Sequence, residues 1–287
     1  MMNVRIIPRL DIKGPDLVKG IHLEGLRVLG QPSEFARHYY ENGADELIFV
    51  DVVASLYQRN SLKEMISRIA QEIFIPLTVA GGIRTIQDIK EVLRAGADKV
   101  AVNTAAIKDP EFIRTASRMF GSSTIVLSIE ALLENGRYLA YTDNGREYTG
   151  VEAIGWAKKA EELGAGEILL TSIDRDGTGE GFDIELTRKI SEAVSIPVIA
   201  CGGCGDLEDI AGVIREGRAD AVSMASVLHY AVASGRGNSV TTGEGNTEFI
   251  RSGRKALPSI KELEISGIKE YLSSRSIPCR HGAGCHV

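Results

Sequence analysis

The feature that most constrains how this chain can fold is that its second half repeats its first. Gly43-Ala-Asp-Glu46 recurs 121 residues later as Gly164-Ala-Gly-Glu167, and Ile75-Pro76 with Ala80-Gly81-Gly82 recurs at the same offset as Ile196-Pro197 with Cys201-Gly202-Gly203. Ala97-Asp98 through Thr104-Ala105 returns 122 residues on as Ala219-Asp220 through Ser226-Val227. Whatever the first half builds, the second half builds again.

Short apolar runs alternate with helical periodicity along most of the chain, a pattern that gives a parallel sheet with crossover helices. The runs are Arg5 to Ile12, Glu46 to Asp51, Pro76 to Ala80, Lys99 to Val102, Thr124 to Ile129, Glu167 to Thr171, Pro197 to Ala200 and Ala221 to Ser223, eight in all. Between the second and third, Leu62, Met65, Ile66, Ile69, Ala70 and Ile73 recur at helical spacing, with Lys63, Glu64, Arg68 and Glu72 between them. Such a helix buries one face. Several runs are almost wholly apolar, as strands covered on both sides are. The expectation is an α/β fold, a (β/α)8 TIM barrel made of two similar half-barrels.

A length of 287 residues accommodates one such barrel and an extra segment. The regularity stops after His229-Tyr230. Residues 231–257, rich in Gly, Ser, Thr and Asn, read as an inserted flexible loop. Ile260, Leu263, Ile268 and Leu272 then suggest a closing helix. The barrel is thus expected over 1–230 plus 258–274, with a C-terminal tail at 275–287.

Hydrophobic residues at 44% and charged residues at 25% match a soluble globular protein with ample core. A net charge of -6, with no Lys/Arg cluster among aromatics, offers no field for nucleic acid, so anionic ligands must be held locally. No apolar run approaches the roughly 20 residues of a membrane helix, and Met1-Met2-Asn3-Val4-Arg5 shows no signal-peptide pattern. No membrane association and a cytoplasmic location are expected. Four cysteines, Cys201, Cys204, Cys279 and Cys285, are too few for a disulfide framework. Cys201-Gly-Gly-Cys204 has the spacing of a redox or zinc pair but lacks a second pair at finger spacing. The tail Cys279-Arg-His281-Gly-Ala-Gly-Cys285-His286 reads as a frayed terminus rather than a metal site. No metal and no cofactor are expected.

Barrels of this kind carry their sites on the loops after the strands, at the carboxyl ends. Asp11 ends the first strand and Glu130 the fifth, so two carboxylates flank the mouth from opposite sides. Paired acids in different environments divide proton donation and removal. Alternatively each acid caps a helix or pairs with Lys13 or Lys19. Glycine turns supply a second signal: Gly81-Gly82 after the third strand with Asn103-Thr104 after the fourth, and Gly202-Gly203 after the seventh with Ala225-Ser226 after the eighth. Backbone N–H groups, helix N-termini and hydroxyls at such turns cradle phosphate, and two cradles suit a substrate with a phosphate at each end. The glycines can equally serve tight turns alone. Asp176-Gly177-Thr178 follows the sixth strand, close to where Thr171 ends it, and is placed to cover the second phosphate or a sugar hydroxyl. At the opposite end, Arg5, Glu46, Lys99 and Glu167 begin the first, second, fourth and sixth strands and can meet as a ring of alternating charge. Such a ring can simply stabilise the barrel floor.

Ile168-Leu-Leu-Thr-Ser-Ile-Asp-Arg-Asp-Gly-Thr178, Thr78-Val-Ala-Gly-Gly-Ile83, Ala97-Asp-Lys-Val-Ala-Val-Asn-Thr-Ala105 and Arg5-Ile-Ile with Leu10-Asp11 resemble the imidazole glycerol phosphate synthase cyclase (HisF) family. The similarity spans roughly residues 3–230, and Gly267-Ile-Lys-Glu-Tyr-Leu272 also resembles it. The resemblance implies a HisH-like glutaminase docked on the N-terminal face, whose ammonia crosses the barrel and attacks a bisphosphate ribonucleotide (PRFAR). Imidazole glycerol phosphate and the ribonucleotide AICAR result. It implies that Asp11 is the principal acid/base, that Lys19, Gly82, Asn103, Thr104, Gly177, Gly203 and Ser226 bind substrate, and that the charged ring gates the ammonia.

Departures gather at the mouth. The family normally has aspartate at Glu130, and a small residue at Arg9. Lys13-Gly-Pro-Asp-Leu-Val-Lys-Gly20 lacks the usual Asp-Gly-Arg, and the first loop reads Leu26-Arg-Val-Leu-Gly-Gln-Pro32. An alternative expectation follows: a divergent relative that delivers ammonia for amidating a nucleotide sugar in surface-polysaccharide synthesis.

Overall fold

A computed structural model describes residues 3–53, 60–235 and 257–280. In chain order its elements are β1 (Arg5–Lys13), β2 (Asp16–Ile21), β3 (Glu24–Gly30), α1 (Pro32–Glu41), β4 (Leu47–Asp51), α2 (Asn60–Ala70), β5 (Leu77–Ala80), α3 (Ile86–Arg94), β6 (Lys99–Val102), α4 (Thr104–Lys108) and α5 (Glu111–Phe120). The second half supplies β7 (Ile125–Glu134), β8 (Arg137–Thr142), β9 (Glu147–Glu152), α6 (Ala153–Leu163), β10 (Glu167–Ser172), α7 (Ile184–Ser191), β11 (Val198–Cys201), α8 (Leu207–Arg215), β12 (Ala221–Met224), α9 (Ser226–Gly235) and α10 (Ile265–Ser274).

β1, β4, β5, β6, β7, β10, β11 and β12 pair in that order, all parallel, and β12 returns to β1. The sheet therefore closes into the eight-stranded barrel that the alternating runs imply, with β1 and β7 diametrically opposed. Side chains alternate between two cores, as strand geometry requires. On β1, Ile6, Leu10 and Ile12 join the outer core under the helices, while Ile7 packs inside the barrel with Ile48, Val126, Leu169 and Ile199. Ala80, Ala101 and Ala221 fill the narrower gaps of that luminal layer.

The repeat also fixes how two helices start. Thr85 caps α3 and Asp206 caps α8, each in a reciprocal capping box with Asp88 or Asp209. Equivalent positions in the two halves thus satisfy the orphan N–H groups of a first helical turn.

Several expectations need correction. The stretches after the first and fifth barrel strands are not plain loops. β1 and β7 continue past the barrel into antiparallel hairpins with β2–β3 and β8–β9, so Leu26 to Gly30 belongs to a strand. Asn135-Gly136, with φ of +48° and +77°, turns the β7–β8 hairpin, and such a pair is a strong local hairpin signal. Glu46 and Pro76 lie just outside their strands, and Ile73 lies past the end of α2, although it is buried. The side chain of Leu62 is outside the described residues. α9 continues through Gly235, five residues into the stretch expected to be a flexible loop, and the rest of that stretch, 236–256, lies outside the described residues. Ile260 and Leu263 do not join the closing helix: they form an extended segment held by Lys261 N–H to Gly205 O (2.8 Å) and Leu263 N–H to Val227 O (3.0 Å). The tail is not frayed through Arg280, because Val4 N–H donates to Pro278 O at 2.8 Å and Cys279 is buried against α10. His281, Cys285 and His286 lie outside the described residues.

Candidate active site

Asp11 shares the inner face of β1 with Arg5, Ile7 and Arg9, and Glu130 stands opposite on β7. Both carboxyls are buried. Asp11 Oδ1 accepts from Arg9 Nε at 2.7 Å, and Lys19 Nζ of β2 lies 3.7 Å from Oδ2. Glu130 Oε2 accepts the Gly145 N–H of the β8–β9 turn at 2.8 Å. Burial raises the Glu130 pKa to about 7, against the pull of Arg9 and of the Gly145 hydrogen bond, with the Asp11 and Asp143 charges adding to the rise. The two acids thus act on each other across one mouth. Neither caps a helix. Asp11 does pair with Lys19, one of the alternatives considered, while Lys13 is exposed.

Around the second set of turns, Arg9, Lys19, Asp176, Gly177, Gly202, Gly203, Ala225 and Ser226 line one cavity of about 20 Å³, room for a single water. It is small because the first hairpin lies over it. The hairpin tip is held by His22 N–H to Asp176 O (2.8 Å) and by Asn144 Nδ2 to Leu23 O (3.1 Å). Lys19 and Asp176 are paired with each other, at 2.8 and 3.0 Å from Nζ to the two carboxylate oxygens. Across the mouth, Asn103 and Thr104 follow β6 and engage the second hairpin, through Asn103 Nδ2 to Tyr141 O (3.0 Å) and Asp143 N–H to Thr104 Oγ1 (3.3 Å). Asn103 Oδ1, buried, has no hydrogen-bond partner among the described residues.

Gly81 and Gly202, one in each half, share a φ of +92°. A Cβ on Gly81 would come within 2.2 Å of Asp51 O, and one on Gly203 within 2.1 Å of Gly181 O. The turns therefore demand glycine for their own packing, and an anion-binding role needs other support. The first-turn donors of α3 and α8 are occupied by their capping boxes, whereas α4 begins after Asn103 with no side-chain cap.

At the other end of the barrel the four predicted charges form a closed ring. Arg5 reaches Glu46 at 2.8 Å and Glu167 at 2.6 Å, and Lys99 reaches the same two carboxylates at 3.0 and 2.9 Å. A cavity of about 310 Å³, lined by Arg5, Lys99, Glu167, Asn3, Ser123, Gly166, Pro197 and Asp220, opens on that face.

Thr171, level with Glu130 in the β7–β10 register, is fully buried, and its hydroxyl accepts from Arg9 Nη1 at 3.2 Å. Arg9 is the residue to which spacing alone assigns no task. Its signal was available as a cation in the middle of a buried strand, two residues before Asp11. Cys201 and Cys204 are free and buried, and burial with the Asp209 and Asp206 charges pushes the Cys204 thiol well up. Among the described residues no group of three or more His, Cys, Asp or Glu is disposed to hold a metal ion, and no helix is long and apolar enough to cross a membrane.

Residues 5–234 match the family model of histidine biosynthesis proteins. The imidazole glycerol phosphate synthase subunit HisF of Legionella pneumophila is 60% identical over 210 residues, covering 73% of this chain and 99% of the relative. Subunits of the same name from Methanococcus vannielii and Alkaliphilus metalliredigens are each 47% identical, over 80% of this chain and 92% of their own length. With a closed eight-stranded barrel, a pair of acids at one rim and relatives matched over nearly their whole length, the chain belongs to the HisF family of histidine biosynthesis proteins.

Proposed function

We propose that the chain is the cyclase subunit of imidazole glycerol phosphate synthase, converting PRFAR and ammonia to imidazole glycerol phosphate, AICAR and water. The observation that carries this reading is that Asp11 and Glu130, both buried, stand on opposite sides of one mouth, over the barrel axis whose far end is the charged ring. Ammonia is small and neutral. It can cross an apolar lumen that excludes ions, once Arg5, Glu46, Lys99 and Glu167 part to admit it.

At the mouth, Gly81, Gly82, Asn103 and Thr104 hold one phosphate of the substrate, and Gly177, Gly202, Gly203, Ala225 and Ser226 hold the other. Lys19 leaves Asp176 to meet the second phosphate as the first hairpin moves aside. Attack by ammonia requires a proton to be removed from the incoming nitrogen, and cleavage requires one to be supplied to the departing nitrogen. Asp11 and Glu130 are the groups in reach of both tasks. The ammonia comes from a glutaminase seated on the N-terminal face, around the cavity beside the ring.

The names of the three relatives favour this reading over amidation of a nucleotide sugar, which Glu130, Arg9 and the altered stretches at Lys13 to Gly20 and Leu26 to Pro32 had suggested. Turnover of PRFAR by the isolated chain with excess ammonium salt is the test. Asp11→Asn lowers kcat by on the order of 10²- to 10⁴-fold. A wild-type chain inert under those conditions, yet raising glutamine hydrolysis by a co-purified glutaminase, would overturn the cyclase reading.

A further inference from the structure

Arg9 sits on the inner face of β1, two residues beyond Ile7 of the apolar luminal layer, and is 3% exposed. Its Nε binds Asp11 Oδ1 at 2.7 Å on its own strand, while Nη1 reaches Thr171 Oγ1 (3.2 Å) on β10 and Cys201 Sγ (3.5 Å) on β11. β10 is the third strand from β1 around the eight-stranded ring, and the fourth is diametrically opposite. The guanidinium therefore crosses most of the lumen above the apolar layer. Anything travelling along the axis from the charged ring to the mouth meets it.

The far end of the side chain is the more loosely held. Nη1 has only a hydroxyl and a thiol, neutral acceptors at 3.2 and 3.5 Å, and an ionised acceptor makes the stronger bond. The same cation lines the cavity of about 20 Å³ together with Gly177, Gly203 and Ser226. Ser223 of β12, the strand next to β1, borders that cavity too; its Oγ is buried and has no hydrogen-bond partner among the described residues. An acceptor for a displaced Nη1 therefore stands on the near wall.

We propose that Arg9 is a valve at the mouth end of the ammonia passage: latched on Thr171 and Cys201 it shuts the lumen, and a phosphate arriving in the adjoining cavity draws the guanidinium back towards β12 and opens it. That role builds on the cyclase reading and adds when the passage is open. A planar guanidinium prefers phosphate to a hydroxyl or a thiol as partner, so opening waits for substrate. Ammonia then reaches the mouth only when there is a carbon there to attack, and ammonia from solvent does not enter the lumen of an idle barrel.

The first measurement needs no turnover. Methyl methanethiosulfonate, a small neutral thiol reagent, is applied to the full chain, and its reaction at Cys201 and at Cys279 is followed by mass spectrometry. Cys279 is buried against α10, outside the lumen, and reports any general loosening of the fold. Arg9→Ser speeds modification of Cys201 by about tenfold or more with Cys279 unchanged. Thr171→Val, which removes the latch and keeps the arginine, speeds it by less. Failure of either variant to raise Cys201 selectively, whether because the rate stays level or because Cys279 rises with it, overturns the proposal. The second measurement takes the complex with its glutaminase, glutamine labelled with nitrogen-15 at the amide, and an excess of unlabelled ammonium chloride. Wild type places chiefly glutamine nitrogen in the imidazole; Arg9→Ser, open between turnovers, lowers the labelled-to-unlabelled ratio by roughly threefold or more. That ratio does not depend on the rate, and an unchanged ratio would make Arg9 a brace and not a valve. A wild type that turns over no PRFAR even with ammonium counts against the cyclase reading alone, and the thiol rates then decide whether Arg9 closes the lumen.

Discussion

Glu130 holds its proton more tightly in the folded protein than in the unfolded chain, because its carboxyl is buried with only one backbone donor. The sign of the stability effect follows from that difference. Stability attributable to this group is fully present below the ordinary glutamate range, falls as pH rises towards about 7, and is level above it. The range corresponds to on the order of 3 kcal/mol. Glu130→Gln keeps the shape without the ionisation. Its melting temperature relative to wild type is therefore expected to rise between pH 5 and pH 8, as read by calorimetry, and a constant difference would contradict the assigned environment.

Among the elements, the two capping boxes show how the repeat works at the level of helix starts. Thr85 and Asp206 hold the same position in opposite halves, each accepting the N–H of the aspartate three residues on. Removing either hydroxyl or carboxylate with alanine costs about 1 kcal/mol. The two losses should add, because the sites share no partner; urea midpoints of the single and double variants check this. The hairpins are elements of a different kind. Both extend the barrel strands that bear the two acids, and both turn back over the mouth, so Gly145 of one and Lys19 of the other reach those acids from above.

For the molecule as a whole, the two ends of the barrel carry different chemistry, and each can be perturbed alone. Lys99→Met opens the ring without touching the mouth. In the complex with its glutaminase it is expected to lower glutamine-driven turnover relative to ammonium-driven turnover by roughly fivefold or more; equal loss in both assays would mean that the ring only braces the floor. Phe74 is 80% exposed on the same N-terminal face, just before β5 and edge-on to Tyr40 at 6.1 Å. An aromatic so placed is a natural anchor for a partner. Phe74→Glu is expected to weaken glutaminase binding by about 30-fold or more, measured by calorimetric titration, with ammonium-driven turnover unchanged.

The sequence by itself determined the architecture, since the barrel follows from local and repeated information: apolar runs of strand length, helical periodicity between them, and a second half that copies the first. It also indicated which residues face the two ends of the barrel, with Asp11 and Glu130 on opposite sides of one rim and Arg5, Glu46, Lys99 and Glu167 at the other. The hairpin signal of Asn135-Gly136 is present in the local code but was not among the expectations drawn from the sequence. Only the tertiary structure decided who pairs with whom. Arg9 reaches Thr171 and Cys201, 162 and 192 residues away, because barrel closure brings β10 and β11 within reach of β1 across the lumen, and no local pattern records that approach. The same closure pairs Lys19 with Asp176 and draws Cys279 beside Val4. Spacing reports which face a side chain occupies; which charge it finds there depends on the curvature of the closed sheet.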